Sequence, residues 1–278
     1  MELRAWAEQI LSSPNIEDKL FVPETITDHA PGLQYYWDEP ARSIDLRLQW
    51  RTNEHKLPNF QTISTPTAHD ARIACMHRFA GHELLAVEML CFAVLAWPDA
   101  PKAYRRSLIH HIKEEQQHTR LYSDELAKRG RPFGSLPLFR HFWAHLSSCY
   151  TLQSFIAMLN LTLEQANLDF CPLYAHLFVL AGDLSAASIM AQILKDEIDH
   201  VKLGLHWTKK ITKSPLSWNT YKQNLPISLS PDRSAGFELY LPPRHQAGLP
   251  HEWIEALIAT GKNPQKAFPP TLDRLIPS

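Results

Sequence analysis

Glu83, Glu115 with His118, Glu164, and Glu197 with His200 repeat one pattern twice: a lone Glu, then a Glu-x-x-His, with separations of 32 residues (83 to 115) and 33 residues (164 to 197). Carboxylates and imidazoles in this pattern predict a carboxylate-bridged two-metal site. Four carboxylates balance the charge of two divalent or trivalent irons, and one imidazole per metal leaves coordination positions open, so the predicted chemistry is oxygen handling at a di-iron centre. Metal, Glu83, Glu115, His118, Glu164, Glu197 and His200 together form the expected catalytic apparatus, with Glu115 and Glu197 as bridges and Glu83 and Glu164 as terminal ligands.

Such residues need helices to hold them at one level. The midpoint of 83 and 115 falls in Trp97-Pro98-Asp99-Ala100-Pro101, a helix break and restart. The midpoint of 164 and 197 falls beside Gly182-Asp183, a C-cap followed by an N-cap. In two antiparallel hairpins the carboxylates would each lie about 16 residues, or roughly 24 Å, from their turn. The expected fold is therefore all-α, with helices near 69–97, 101–129, 146–181 and 184–212 forming a four-helix bundle. Sixteen of the 21 prolines lie outside 69–212, which predicts a short helix near 2–12, an extended arm over 1–68, and an irregular tail over 213–278 with one helix near 251–260.

Burial is legible around the lone carboxylates. Glu164 is the only Asp, Glu, Lys or Arg among the 28 residues from His141 to Leu168, and an unpaired buried charge is costly unless it is neutralised or bound to metal. Glu83 is set among Phe79, Ala80, Leu84, Ala86 and Val87. Metal-bound imidazoles usually donate their second N–H to an acceptor. Asp196 and Glu114, each preceding a motif Glu, are the candidates, crossing so that Asp196 serves His118 and Glu114 serves His200. His111 and Tyr122, one turn before Glu115 and one turn after His118, are further candidates for the surroundings of the site; a core role competes for both. His77, His82, His110 and His206 read as structural histidines.

The net charge of −1 gives no general attraction to nucleic acid or anionic membrane. The basic residues Lys102, Arg105, Arg106, Lys113, Arg120, Lys128, Arg129 and Arg131 read as a solvated face before an RNA-binding one. Cys75, Cys91, Cys149 and Cys171 have no Cys-x-x-Cys spacing and read as reduced core thiols. The N-terminus lacks a signal-peptide core and no uncharged stretch has the length and hydrophobicity of a span, so cytoplasmic residence is expected. The tail carries no Glu-x-x-His and is expected to lie over a helical surface, gating the site without adding ligands.

The stretches His77 to Glu88, Glu114-Glu115-Gln116-Gln117-His118, Leu163 to Asp169 and Asp196 to Gly204 resemble the DUF455 family of ferritin-like proteins, from about Thr67 to Trp207 and onward to Pro242–Gly248. The chain departs from that family's pattern at Ala166-Asn167, where members carry Arg-Gly, and at Glu114, where they carry Asp. The resemblance implies a ferritin-like di-iron fold related to tRNA-hydroxylating and other di-iron oxygenase families. The leading expectation is an oxidoreductase that uses two irons, with manganese or a mixed pair as variants, and O2 to oxidise or hydroxylate a small organic substrate. A separate electron donor and a homodimer are compatible with it, a membrane is not expected, and tRNA stays open as a less favoured partner. The alternatives are a ferroxidase or peroxide-scavenging iron-handling protein, and a non-catalytic bundle acting as an interaction module.

Overall fold

Helices dominate the computed structural model, which describes residues 1–276; the only strands among them are two short parallel pairs. The chain divides into two compact units, Met1–Pro58 with Ile73–Leu146, and Asn59–Arg72 with the chain from Ser147 onward.

The first unit contains helices α1 (Leu3–Ser12) and α2 (Ile16–Leu20), and, after α3 (Phe60–Ile63) of the second unit, most of α4 (His69–Ala96), then α5 (Lys102–Lys128) and α6 (His141–Ala144). The helices at 2–12, 69–97 and 101–129 are thus where the sequence places them, to within a residue. Phe79 faces Tyr122 and Glu83 faces His118, so four steps forward on α4 are four steps back on α5, which defines an antiparallel hairpin. Its turn is held by Arg105, whose Nη1 donates to the carbonyls of Pro98 and Ala100 while its guanidinium pairs with Asp28. The N-terminal arm is less extended than its prolines suggest, because α2 packs against α5. Lys19 of α2 donates to Ile10 O at 2.7 Å, and Gln116 of α5 donates to Lys19 O at 2.7 Å. One 18-residue window of α4 has the length and apolarity of a membrane span, and 83% of that window is buried in the protein. A helix apolar on nearly every side is a core helix when other elements cover it.

The second unit departs from expectation at its first long helix. Instead of one α-helix over 146–181, residues 145–148 form a 3-10 turn and α7 starts at Leu152 (Leu152–Met158), capped by Thr151 Oγ1, which accepts from Ser154 N. A π-helical turn follows (Leu159–Glu164), and then α8 (Gln165–Leu180). The turn to α9 (Leu184–Thr212) is the one the sequence predicts: Gly182 takes a left-handed φ of 75°, and Asp183 caps α9 by accepting from Ala186 N. Asp183 also receives Arg72 Nε at 2.9 Å, which secures the first turn of α4. Among the described residues the tail holds three α-helices rather than one, α10 (Trp218–Asn224), α11 (Leu241–Gln246) and α12 (His251–Ala259), with strand 238–240 paired to 263–265. Pro242-Pro243 sit in the first turn of α11, where a missing N–H costs nothing.

Candidate metal centre

The first unit brings together half of the expected ligand set. Glu83 of α4 and Glu115 and His118 of α5 are buried, and each offers a ligand atom within 4.8 Å of the others. His118 Nδ1 lies 3.5 Å from Glu115 Oε2 and 3.7 Å from Glu83 Oε2. Burial raises the pKa of Glu83 well above the usual carboxyl range, the Glu115 carboxylate raises it further, and His118 offsets part of the effect. A cation placed among these groups would favour the charged carboxylates and oppose that shift. His111 is also buried, with Nε2 3.5 Å from Glu115 Oε1, so it belongs to the immediate surroundings of the cluster. Tyr122 is buried with its ring centroid 6.0 Å from that of Phe79. Glu114 is half-buried and pairs with His110 Nε2 at 3.1 Å along its own helix.

The second unit holds the matching half. Glu164 ends the π turn, and Glu197 and His200 follow one another on α9, all three buried. His200 Nδ1 lies 3.5 Å from Glu197 Oε2, the same atoms at the same distance as in the His118–Glu115 pair. Glu164 and His200 offer ligand atoms within 4.8 Å of one another. Asp196 is half-buried beside them on α9. Buried His and Glu clusters of this kind could hold a metal ion.

Sequence reasoning missed two amides that aim these carboxylates. Asn160 Nδ2 donates to Glu164 Oε2 at 2.7 Å and to the His200 carbonyl at 3.2 Å, and Asn167 Nδ2 donates to Glu197 Oε1 at 2.7 Å. A polar residue four before Glu164 in an otherwise apolar stretch was a usable signal for Asn160. Asn167 occupies one of the two positions that depart from the family pattern, and here it fills that position with a donor to a motif carboxylate.

The four cysteines are free and buried. His77 is structural: its Nε2 accepts from Gly134 N and Leu136 N, and burial lowers its pKa to about 4. The basic residues of α5 are not uniformly a solvated face, because Arg105 is buried on Asp28, Arg129 pairs with Glu125, and Arg120 donates to Leu20 O.

Residues 6–255 match the family model described as Protein of unknown function (DUF455). An "Uncharacterized protein" of Haemophilus influenzae is 26% identical over 112 residues, which are 40% of this chain and 39% of that relative's length. No solved structure matches the chain. Since the family model spans nearly all of it, the chain belongs to the DUF455 family.

Proposed function

We propose that Glu83, Glu115, His118, Glu164, Glu197 and His200 would hold a carboxylate-bridged dinuclear iron centre, that the fold is a ferritin-like four-helix bundle, and that the protein is an O2-dependent oxidoreductase acting in the cytoplasm on a small organic substrate. The observation that carries this reading is the duplicated half-site: two buried Glu-x-x-His pairs with one Nδ1-to-carboxylate distance of 3.5 Å, each accompanied by a buried Glu from a second helical segment. In this reading Glu83, Glu164, Glu115, Glu197, His118 and His200 would hold the metals, with Glu83 and Glu164 as the terminal and Glu115 and Glu197 as the bridging carboxylates. Iron in this position supplies reductive activation of O2, with electrons from a separate donor.

The chain's own residues do the rest. Asn160 and Asn167 hold Glu164 and Glu197 in fixed orientations, as hydrogen-bonded partners of metal ligands do. Burial excludes bulk water from the ligands. The test is anaerobic loading with Fe(II), followed by O2 exposure with metabolite extracts. Substrate-dependent O2 consumption with an oxidised organic product supports the oxidoreductase. Consumption that tracks added Fe(II) alone and deposits ferric mineral would assign the site to iron handling, and no metal uptake would leave an interaction module.

A further inference from the structure

A π turn is rare and short, and it shifts the backbone hydrogen-bond pattern by one residue, so its carbonyls need help from elsewhere. In Leu159–Glu164 that help comes from Thr162, whose Oγ1 donates to the carbonyl of Ala157 at 2.7 Å. The Thr162 hydroxyl proton is thereby used. Tyr221 OH lies 2.7 Å from the same Oγ1, so the phenol must be the donor in that contact. Tyr221 comes from α10, is fully buried, and its ring packs against those of Trp218 and Trp253, at centroid distances of 5.1 and 4.9 Å. Burial raises its pKa to about 12, which keeps the donor proton in place.

The C-terminal segment grips the turn at a second point. Arg244 of α11 is fully buried, and its Nη2 donates to Asp169 Oδ2 at 2.6 Å and to Ser234 O at 3.1 Å. Asp169 also accepts Gly236 N and Tyr240 N. With the Gln165 amide oriented to satisfy both its ends, its oxygen accepts from Arg244 Nη1 at 2.6 Å and its nitrogen donates to Leu161 O, inside the turn, at 2.9 Å. Across the turn, α9 approaches at Gly204, where a Cβ would stand 2.5 Å from Asn160 Cβ and 2.9 Å from Leu161 Cδ2.

We propose that Tyr221 and Arg244 are positioning residues: the C-terminal segment fixes the π turn that carries Asn160 and Glu164, and so sets metal affinity without contributing a ligand. This rests on the metal reading given above. The probe is Mn(II) alone, titrated into the full chain, together with amide hydrogen exchange of the metal-free protein. Tyr221→Phe keeps the packed ring and should weaken Mn(II) binding roughly tenfold, the low end of what removing partners of metal ligands does. It should also speed exchange selectively over residues 159–165. Thr162→Val should match it, and Thr162→Ser should restore wild-type behaviour. Leu257→Ala, a buried truncation in α12, serves as the control for general destabilisation and should leave both readouts at the turn unchanged. Unchanged exchange and affinity in Tyr221→Phe, or equal effects from Leu257→Ala, would overturn the proposal. Wild-type protein that takes up no Mn(II) would contradict the metal reading, and the exchange arm would then still decide whether the clamp exists.

Discussion

Glu83 and Glu88 lie five residues apart on α4, roughly 140° around the helix from each other, and both are buried. Glu88 is neutralised inside the protein, with Lys19 Nζ at 2.9 Å and Arg42 Nη2 at 2.6 Å. Glu83 faces another carboxylate and an imidazole instead, and its pKa is driven up. A buried carboxylate whose protein neighbours answer its charge is a structural device. One held beside a second carboxylate costs folding energy in the metal-free protein, and such a cost is characteristic of functional sites. The same contrast recurs in the other unit, where Asp169 is matched by Arg244 at 2.6 Å while Glu164 and Glu197 accept from neutral asparagines. Burial alone raises the pKa of Asp169, and the Arg244 charge opposes that rise.

The largest expected effects come from exchanging charge at the two positions of α4. Glu83→Gln should abolish binding at one metal site while raising the stability of the metal-free protein near neutral pH. Glu88→Gln should leave metal stoichiometry intact but cost about 3 kcal/mol, because it strands two buried cations. Denaturant unfolding combined with elemental analysis measures both quantities. If the two substitutions cost the same amount of metal, the distinction between these carboxylates is wrong.

pH separates the two kinds of buried group by sign. His77 has a folded pKa lowered from 6.5 to about 4, so its contribution is complete above pH 6.5 and is lost as pH falls through that window, by about 3 kcal/mol in all. Glu83 has a raised folded pKa, so its contribution is present below the ordinary value of 4.5 and is lost as pH rises. Unfolding of metal-free protein between pH 4 and 7 should therefore steepen in favour of neutral pH in Glu83→Gln and flatten in His77→Gln. Identical profiles for the wild type and both variants would remove the argument. A smaller effect is expected at Asn167, which touches one ligand only: Asn167→Ala should weaken metal binding by about tenfold or less, without changing stoichiometry.

How much of this could be read from the sequence follows from what each feature depends on. The hairpin turns were legible because proline at 98 and 101 and glycine at 182 act locally, and the Glu-x-x-His pairs were legible because i,i+3 spacing fixes a shared face. The π turn was not, since an inserted residue in an apolar run leaves no compositional mark; its support comes from Tyr221, 59 residues away from Thr162. The helices of the tail were hidden for a related reason. Pro242-Pro243 reads as a break, yet the same pair opens α11, and Arg244 is placed there to meet Asp169. The role of Asn167 depends on α9 lying against α8, where Glu197 accepts from its amide, and no local pattern announces that pairing. Lys19 and Arg42 show the same limit, because nothing near them in sequence announces Glu88 as their partner.

Electron paramagnetic resonance of the full chain loaded with Mn(II) distinguishes the proposed dinuclear centre from separate mononuclear sites. A dinuclear centre gives two ions per chain with an exchange-coupled spectrum that Glu115→Ala or Glu197→Ala abolishes. Two uncoupled ions, each giving the six-line spectrum of isolated Mn(II), or no bound metal, would contradict it.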